Sequence, residues 1–299
     1  MTNILVLGVS GMLGAMVFDY LSKNKSFNVY GTVRNSKYLN KNIFIFDAYD
    51  ISQLENKKFH DLSIEYIINC IGITKPFSKD DDPEGVIRAI KINADFPWEL
   101  AKYANKHHIK VIQIGTDCVY SGKSGGYTEN DAHDPLDVYG KSKSLGEVFD
   151  NTTLIIRSSI IGPEFKKEVT FLLEWFLNQP NGGTINGFDH HLWNGVTTLQ
   201  FAQLCEKIIE TNSFEKLIKI SHVHHFLPNN TVTKFNLMNI FNEVFEKNLK
   251  INRIYEEDNK LDRTLTTIYK ELENLYGRKN IKTALIELKN YVKNSLFSL

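Results

Sequence analysis

The sequence predicts an α/β protein, a doubly wound parallel sheet with a smaller C-terminal lobe. Two observations carry that class. Short runs that are apolar throughout alternate with stretches whose apolar residues recur at helical spacing. Strands buried on both faces read this way, and parallel strands joined by helices are buried on both faces. The first run also passes directly through a glycine-rich turn into a helical pattern, as the opening unit of such a sheet does.

Taken in order, residues 4–7 are the first strand, followed by the turn and a helix marked by Met16, Val17, Tyr20 and Leu21. Residues 28–33 form a second strand, 43–46 a third closed by Asp47, and 66–71 a fourth. Residues 86–107 read as one helix with Ile87, Ile90, Leu100, Ala101 and Ala104 on its apolar side. A fifth strand at 111–114, a helix at 138–149 and a sixth strand at 154–156 complete the alternation, and right-handed crossovers wind it into one sheet. After Pro163 the regularity weakens: helices at 171–177 and 199–209, a strand at 217–221, then helices at 235–245 and 283–296 in a lysine- and asparagine-rich third. The expected division is a nucleotide-binding domain over 1–165, with 195–225 returning to it, and a smaller substrate lobe from 166–194 and 226–299. The lobe would cover the C-terminal edge of the sheet, where such folds bind ligands.

Composition narrows the function. At 42% apolar and 12% aromatic over 299 residues the chain can bury a sizeable core, and 35 basic residues balance 35 acidic ones, which argues against a nucleic-acid partner. Cys70, Cys118 and Cys205 are far apart with no metal-type spacing, so the expectation is a reduced, cytoplasmic protein with no metal site. The N-terminal apolar run is short and lacks a basic leader, and no run reaches the roughly 18 apolar residues of a membrane span.

Gly8-Val9-Ser10-Gly11-Met12-Leu13-Gly14 spaces its glycines as GxxGxxG between the first strand and the first helix. Glycine permits a tight turn and close approach of a pyrophosphate, whose charge is favoured at a helix N-terminus. The second strand ends Thr32-Val33-Arg34, with valine where an acid would bond the adenosine ribose of NAD and an arginine beside it. Arg34 suits a 2′-phosphate, so NADPH is expected over NADH, the alternative being a solvated surface arginine. Tyr139 and Lys143 stand at i and i+4, on one helix face, where an ammonium would lower the phenol toward the range of an acid–base catalyst.

On these motifs the chain resembles an extended short-chain dehydrogenase/reductase, a Rossmann-type fold, and most closely the dTDP-4-dehydrorhamnose reductase group of nucleotide-sugar enzymes. The matching stretches are GVSGMLG at 8–14, FDAYD at 46–50, NCIG at 69–72, INAD at 92–95, GTDCVYSG at 115–122, GGYTENDAHDPLDVYGKSK at 125–143 and RSSIIGP at 157–163, with weaker likeness at 194–204 and 262–265. The resemblance implies a dinucleotide held by Gly8, Ser10, Gly11, Met12, Leu13 and Gly14, by the adenine-side pair Asp47 and Ala48, and by Cys70, Ile71 and Gly72. It makes Tyr139 the general acid toward a sugar carbonyl. Lys143 becomes the ribose-holding residue that tunes it, and Thr116 a second hydrogen bond to the same oxygen. Asn93 resembles a helix asparagine that anchors a water behind the lysine, a solvated helix residue being the alternative. Pro163 resembles the proline beside the nicotinamide. Arg263 resembles a basic residue near a substrate diphosphate, with a surface salt bridge equally open.

Position 118 separates related chemistries. The 4,6-dehydratases resemble Thr-Asp-Glu there, and plain reductases Thr-Asp-Tyr. The GDP-fucose epimerase-reductase resembles Ser-x-Cys with a later histidine. This chain reads Thr116-Asp117-Cys118, and residues 162–169 contain no histidine; His190 and His191 come later. Asp117 is expected to order the loop or contact the sugar, and Cys118 reads more readily as a small buried residue than as a thiol catalyst. The resulting expectation is an NADPH-dependent reductase of a nucleoside-diphosphate-linked 4-keto-6-deoxy sugar serving surface-polysaccharide synthesis, a homodimer as is usual in the family, with no membrane or nucleic-acid partner. The alternatives are a bifunctional epimerase-reductase using Cys118 and a non-catalytic NADP-binding regulatory subunit.

Overall fold

The computed structural model describes residues 1–164 and 171–295. In chain order the elements begin β1 (Thr2–Leu7), α1 (Met12–Ser22), β2 (Phe27–Val33), β3 (Ile43–Ile45), α2 (Lys57–His60), β4 (Tyr66–Asn69), α3 (Pro83–Ala89), α4 (Phe96–His107), β5 (Lys110–Ile114), α5 (Val138–Leu145) and β6 (Thr153–Arg157). They continue β7 (Ile160–Ile161), α6 (Leu172–Leu177), β8 (Thr184–Phe188), β9 (His191–Trp193), β10 (Val196–Thr197), α7 (Thr198–Glu210), α8 (Phe214–Ile220) and β11 (Val223–His225). The last are β12 (Val232–Thr233), α9 (Lys234–Val244), β13 (Lys250–Ile254), β14 (Leu261–Asp262), α10 (Glu271–Tyr276) and α11 (Ile281–Asn294).

Seven strands form one parallel sheet in the order β11-β6-β5-β4-β1-β2-β3. Alternate side chains feed two separate cores, which is why the strands are apolar throughout. Ile4, Val6, Ile68, Ile112 and Ile156 pack on one face with α1, α7 and α11. Leu5, Leu7, Ile67 and Val111 pack on the other with Phe96, Leu100 and Ala104 of α4. The chain order reverses at β1, which has β2 on one side and β4 on the other, so the glycine turn after β1 opens into the crevice of the switch point.

Three departures from the sequence reading have physical causes. The stretch read as one helix over 86–107 is α3 and α4 joined by a π-helical segment, Ile90–Asp95. Pro97 has no N–H to return to the carbonyl four residues back, Asn93, and a π segment absorbs that break. Residues 217–221, read as a strand, lie mainly in α8, because Phe214, Leu217 and Ile218 line one buried helical face. The seventh strand is the following Val223–His225. The helix read over 138–149 stops at Leu145, with Gly146 as its cap. Leu296, the last residue of the expected final helix, lies outside the described residues, as do residues 165–169 of the stretch searched for a histidine.

Small sheets follow. β13 pairs in parallel with β8, and β9 is flanked by β12 and β14. The second of these docks on the loop after β5: Asp262 N donates to the Gly122 carbonyl at 2.8 Å and Tyr127 N to the Thr264 carbonyl at 3.0 Å. No helix among the described residues is long and apolar enough to cross a membrane.

Candidate active site

The turn after β1 is shaped by what it excludes. Gly8 has φ +82°, and a Cβ on Gly14 would lie 2.3 Å from the Gly8 carbonyl oxygen. Gly8 N donates to Thr32 Oγ1 at 3.1 Å and Val9 N to the Thr32 carbonyl at 2.9 Å, fixing the turn to β2. Helix α1 begins at Gly11 with no side-chain cap and no acid in its first turn, so its leading N–H groups have no anionic neighbour of their own. Ser10, Met12 and Leu13 line this start. Such a cradle fits a pyrophosphate.

The other expected cofactor residues gather along the same sheet edge. Val33 is buried, and Arg34 after it is exposed with no ion-pair partner among the described residues. Lys37 stands nearby over the Tyr38 ring, a second cation that the motif reading passed over. Asp47 and Ala48 follow β3 in a turn where Asp47 Oδ1 accepts from Tyr49 N at 3.1 Å. Cys70, Ile71 and Gly72 follow β4, with Ile71 against Gly8. Burial pushes the Cys70 thiol up, so it stays protonated. Asn93 is no solvated residue: Nδ2 donates to the Ile73 carbonyl at 2.8 Å and to Ser142 Oγ at 3.1 Å, and Oδ1 accepts from Ile73 N at 2.8 Å. It ties the π segment to α5 and to the loop after β4. Pro163 is buried just past β7.

The chemistry residues meet where β5 ends. Thr116 is buried, and its hydroxyl lies near enough to the Tyr139 phenol to act on it. Asp137 caps α5 by accepting from Gly140 N at 2.8 Å, and so sets the turn carrying Tyr139. The close approach of Gly140, whose Cβ would fall 2.2 Å from the Cys118 carbonyl, presses that turn on the Thr116 loop. The structure corrects the expected pairing in one respect. Burial pushes the Tyr139 phenol up, reinforced by Cys118, Asp117 and Asp137 and opposed by Thr116. The Lys143 ammonium donates instead to the Ile114 carbonyl at 2.9 Å. Burial presses its pKa down to about 8, with Glu147 and Cys70 opposing. Tyr139 is therefore a held proton rather than a phenolate.

Beyond Thr116, Asp117 Oδ1 accepts from Thr116 Oγ1 at 3.2 Å, and burial raises its carboxyl against the fields of Arg263, Lys234 and Lys75. The Cys118 thiol is pushed up to about 12 by burial and then by Asp117. Arg263 is no surface salt bridge; its Nε donates to the Tyr120 carbonyl at 2.9 Å and its stem covers Gly122. His190 is buried and accepts from Glu256 N at 3.1 Å through Nδ1, whereas His191 lies within the fields of Lys234 and Arg263. Lys75 and Lys234 act on Asp117, which spacing alone did not reveal, because the loop after β4 and the start of α9 bring them in from distant sequence.

Beneath the site lies a buried polar network, also unread in the sequence. Arg157 donates to both Glu147 oxygens at 2.7 and 2.5 Å, and to Tyr120 Oη at 2.7 Å. His133 and His225 flank the guanidinium at 2.6 and 3.2 Å. Glu129 accepts from His225 N, Thr267 Oγ1 and Ile268 N, sealing the loop after Thr116 with late residues of the chain. A side chain at Gly115 would meet Arg157 at 2.8 Å, so the network sets the floor on which Thr116 rests.

Comparison with known proteins follows this geometry. The model of the RmlD substrate binding domain matches residues 1–264. The chain is 29% identical over 216 residues to a dTDP-4-dehydrorhamnose reductase of Aggregatibacter actinomycetemcomitans, covering 70% of this chain and 69% of that one. It is 24% identical over 241 residues to methionine adenosyltransferase 2 subunit beta of Mus musculus, covering 79% and 70% respectively. A solved dTDP-4-dehydrorhamnose reductase of Bacillus anthracis, in complex with NADP, shares the fold with a TM-score of 0.75 at 18% identity, over 99% of this chain and 100% of that one.

Proposed function

The chain belongs to the RmlD substrate-binding domain family, and on that premise we propose that it is an NADPH-dependent reductase of a nucleotide sugar, acting on the 4-keto group of a nucleoside-diphosphate-linked 6-deoxy sugar. The observation that carries this reading is the Thr116–Tyr139 hydroxyl pair beside a buried Lys143, at the sheet edge that also holds the glycine cradle. The reduced dinucleotide would supply the hydride. Gly8 to Gly14 would hold its pyrophosphate, and Arg34 with Lys37 a 2′-phosphate, which favours NADPH over NADH.

Each protein group then has one task. Tyr139 keeps its proton until the carbonyl oxygen becomes basic, and delivers it there. Thr116 donates a hydrogen bond to the same oxygen, polarising it. Lys143 turns its charge toward the cofactor ribose, and its helix is held by Asn93 from behind. Without substrate Asp117 orders the loop by accepting from Thr116, whose one hydroxyl proton would turn to the carbonyl oxygen when substrate binds. Cys118, kept protonated, supports simple reduction over epimerisation. A panel of dehydratase-generated 4-keto sugar nucleotides, scored by NADPH oxidation, tests the proposal; turnover of none would overturn it.

A second reading is a non-catalytic NADP-binding regulatory subunit, favoured by the likeness to methionine adenosyltransferase 2 subunit beta. The retained Tyr139 and Lys143 weigh against it, since a subunit without turnover does not require both. Co-purification with a methionine adenosyltransferase, together with silence across the sugar panel, would favour it.

A further inference from the structure

Three cations act on Asp117: Arg263, Lys234 and Lys75. Their circumstances differ. Lys75 is neutralised by Asp137 at 2.6 Å. Arg263 uses Nε on the Tyr120 carbonyl at 2.9 Å, and its terminal amino groups have no partner among the described residues. Lys234 is half-buried, and among the described residues it has neither a hydrogen bond nor an ion pair. A partly buried ammonium without a hydrogen bond or an ion pair is costly. Its place adds to the cost, because Lys234 is the first residue of α9, where the helix dipole disfavours a cation. Nothing in the packing of α9 requires it, since Thr233 already caps the helix by accepting from Asn236 N at 3.1 Å.

The side chain is nonetheless held in a defined place. Its ammonium lies 5.1 Å from the centroid of the Trp193 ring, and Trp193 Nε1 donates to Ser159 Oγ at 2.8 Å, so the platform is fixed from the main domain. The sheet β12-β9-β14 delivers both free cations: Lys234 follows β12, and Arg263 follows β14. Two cations against the single carboxylate of Asp117 leave this side of Thr116 and Tyr139 positive.

We propose that Lys234 is a substrate-binding residue that, with Arg263, grips the diphosphate of the substrate. The inference rests on the nucleotide-sugar reading above, which supplies a multiply anionic group on the substrate side, away from the glycine cradle and Arg34 that would hold the cofactor's phosphates. It adds a residue on α9 that neither the motifs nor the resemblance point to.

The test is calorimetric titration of the full chain with dTDP, UDP, GDP and CDP, followed by turnover. Wild type should bind at least one of the four. Lys234→Met should weaken that binding roughly tenfold to a hundredfold, the loss of one charge-assisted contact, with NADPH affinity and melting temperature unchanged. Lys234→Gln serves as a second neutral variant should Met disturb the fold, and Lys234→Arg should retain most of the affinity. In turnover KM should rise with kcat preserved. Unchanged nucleotide affinity in both neutral variants would overturn the role of Lys234 while leaving the nucleotide-sugar reading intact. A fall in kcat with KM unchanged would overturn it in favour of proton transfer. Failure of wild type to bind any of the four would overturn the nucleotide-sugar reading, and this inference with it.

Discussion

Raising the pH probes the site through Lys143. The residue is 8% exposed, and its ammonium is held by the Ile114 carbonyl. The fall from 10.5 to about 8 corresponds to roughly 3 kcal/mol against the charged form in the folded protein. The sign follows from linkage. Below about pH 8 the lysine is charged in both folded and unfolded chains, so the penalty is fully present. Between about 8 and 10.5 the folded protein has released the proton while the unfolded chain keeps it, so the penalty is relieved. This group therefore makes the fold more stable as pH rises through that window, while removing the charge proposed to orient the cofactor. Tyr139, raised by burial, stays protonated throughout and sets no limb there. We expect kcat/KM, followed by NADPH oxidation, to fall about tenfold per unit above a midpoint near pH 8, with no matching fall in melting temperature caused by this group. Lys143→Arg, whose charge persists to far higher pH, should carry the limb upward with whatever activity it retains. A profile level to about pH 10, or a loss of rate that tracks unfolding, would refute the reasoning.

Three further outcomes are expected. Tyr139→Phe keeps the ring and removes the proton donor, and should cost roughly 10²–10⁴ in kcat with NADPH affinity, by fluorescence titration, nearly unchanged. Arg34→Ala should weaken NADPH by about 1.5–3 kcal/mol and leave NADH almost untouched; equal wild-type affinity for the two cofactors would sink the assignment. Reaction in D₂O should place no solvent deuterium at C3 or C5 of the product, and Cys118→Ser should leave reduction largely intact; enzyme-dependent deuterium abolished by Cys118→Ser would instead establish epimerisation.

Much of this was legible in the sequence because it depends on local patterns. The apolar runs at β1, β4, β5 and β6 identify a sheet with a core on each face, and Gly8 to Gly14 mark where the chain must pass close to itself. Tyr139 and Lys143 share a helix, so spacing pairs them. What escaped was set by distance in sequence. Lys234 comes over the Trp193 ring only because β12 pairs with β9. Arg157 reads as an ordinary strand end until Glu147, His133 and His225 are folded around it. The run at 217–221 was misread because a short stretch of leucine and isoleucine fits either period, and Phe214, one turn earlier, decides for the helix. Lys143 was expected to lower Tyr139 from their shared face, yet the carbonyl at the end of β5 captures the ammonium.

The clasp on Glu129 bears on the order in which the protein becomes an enzyme during synthesis. The glycine cradle needs only β1, β2, β4 and α1, all of which leave the ribosome before the latch residues. The loop beside Thr116 is closed by Thr267 and Ile268, which emerge well over a hundred residues later. A nascent chain thus has the elements for gripping a nucleotide long before it can align a carbonyl. A premature stop just ahead of Thr267 would remove that latch together with α10 and α11, whose Leu272, Ile281 and Leu285 belong to the core beneath α1.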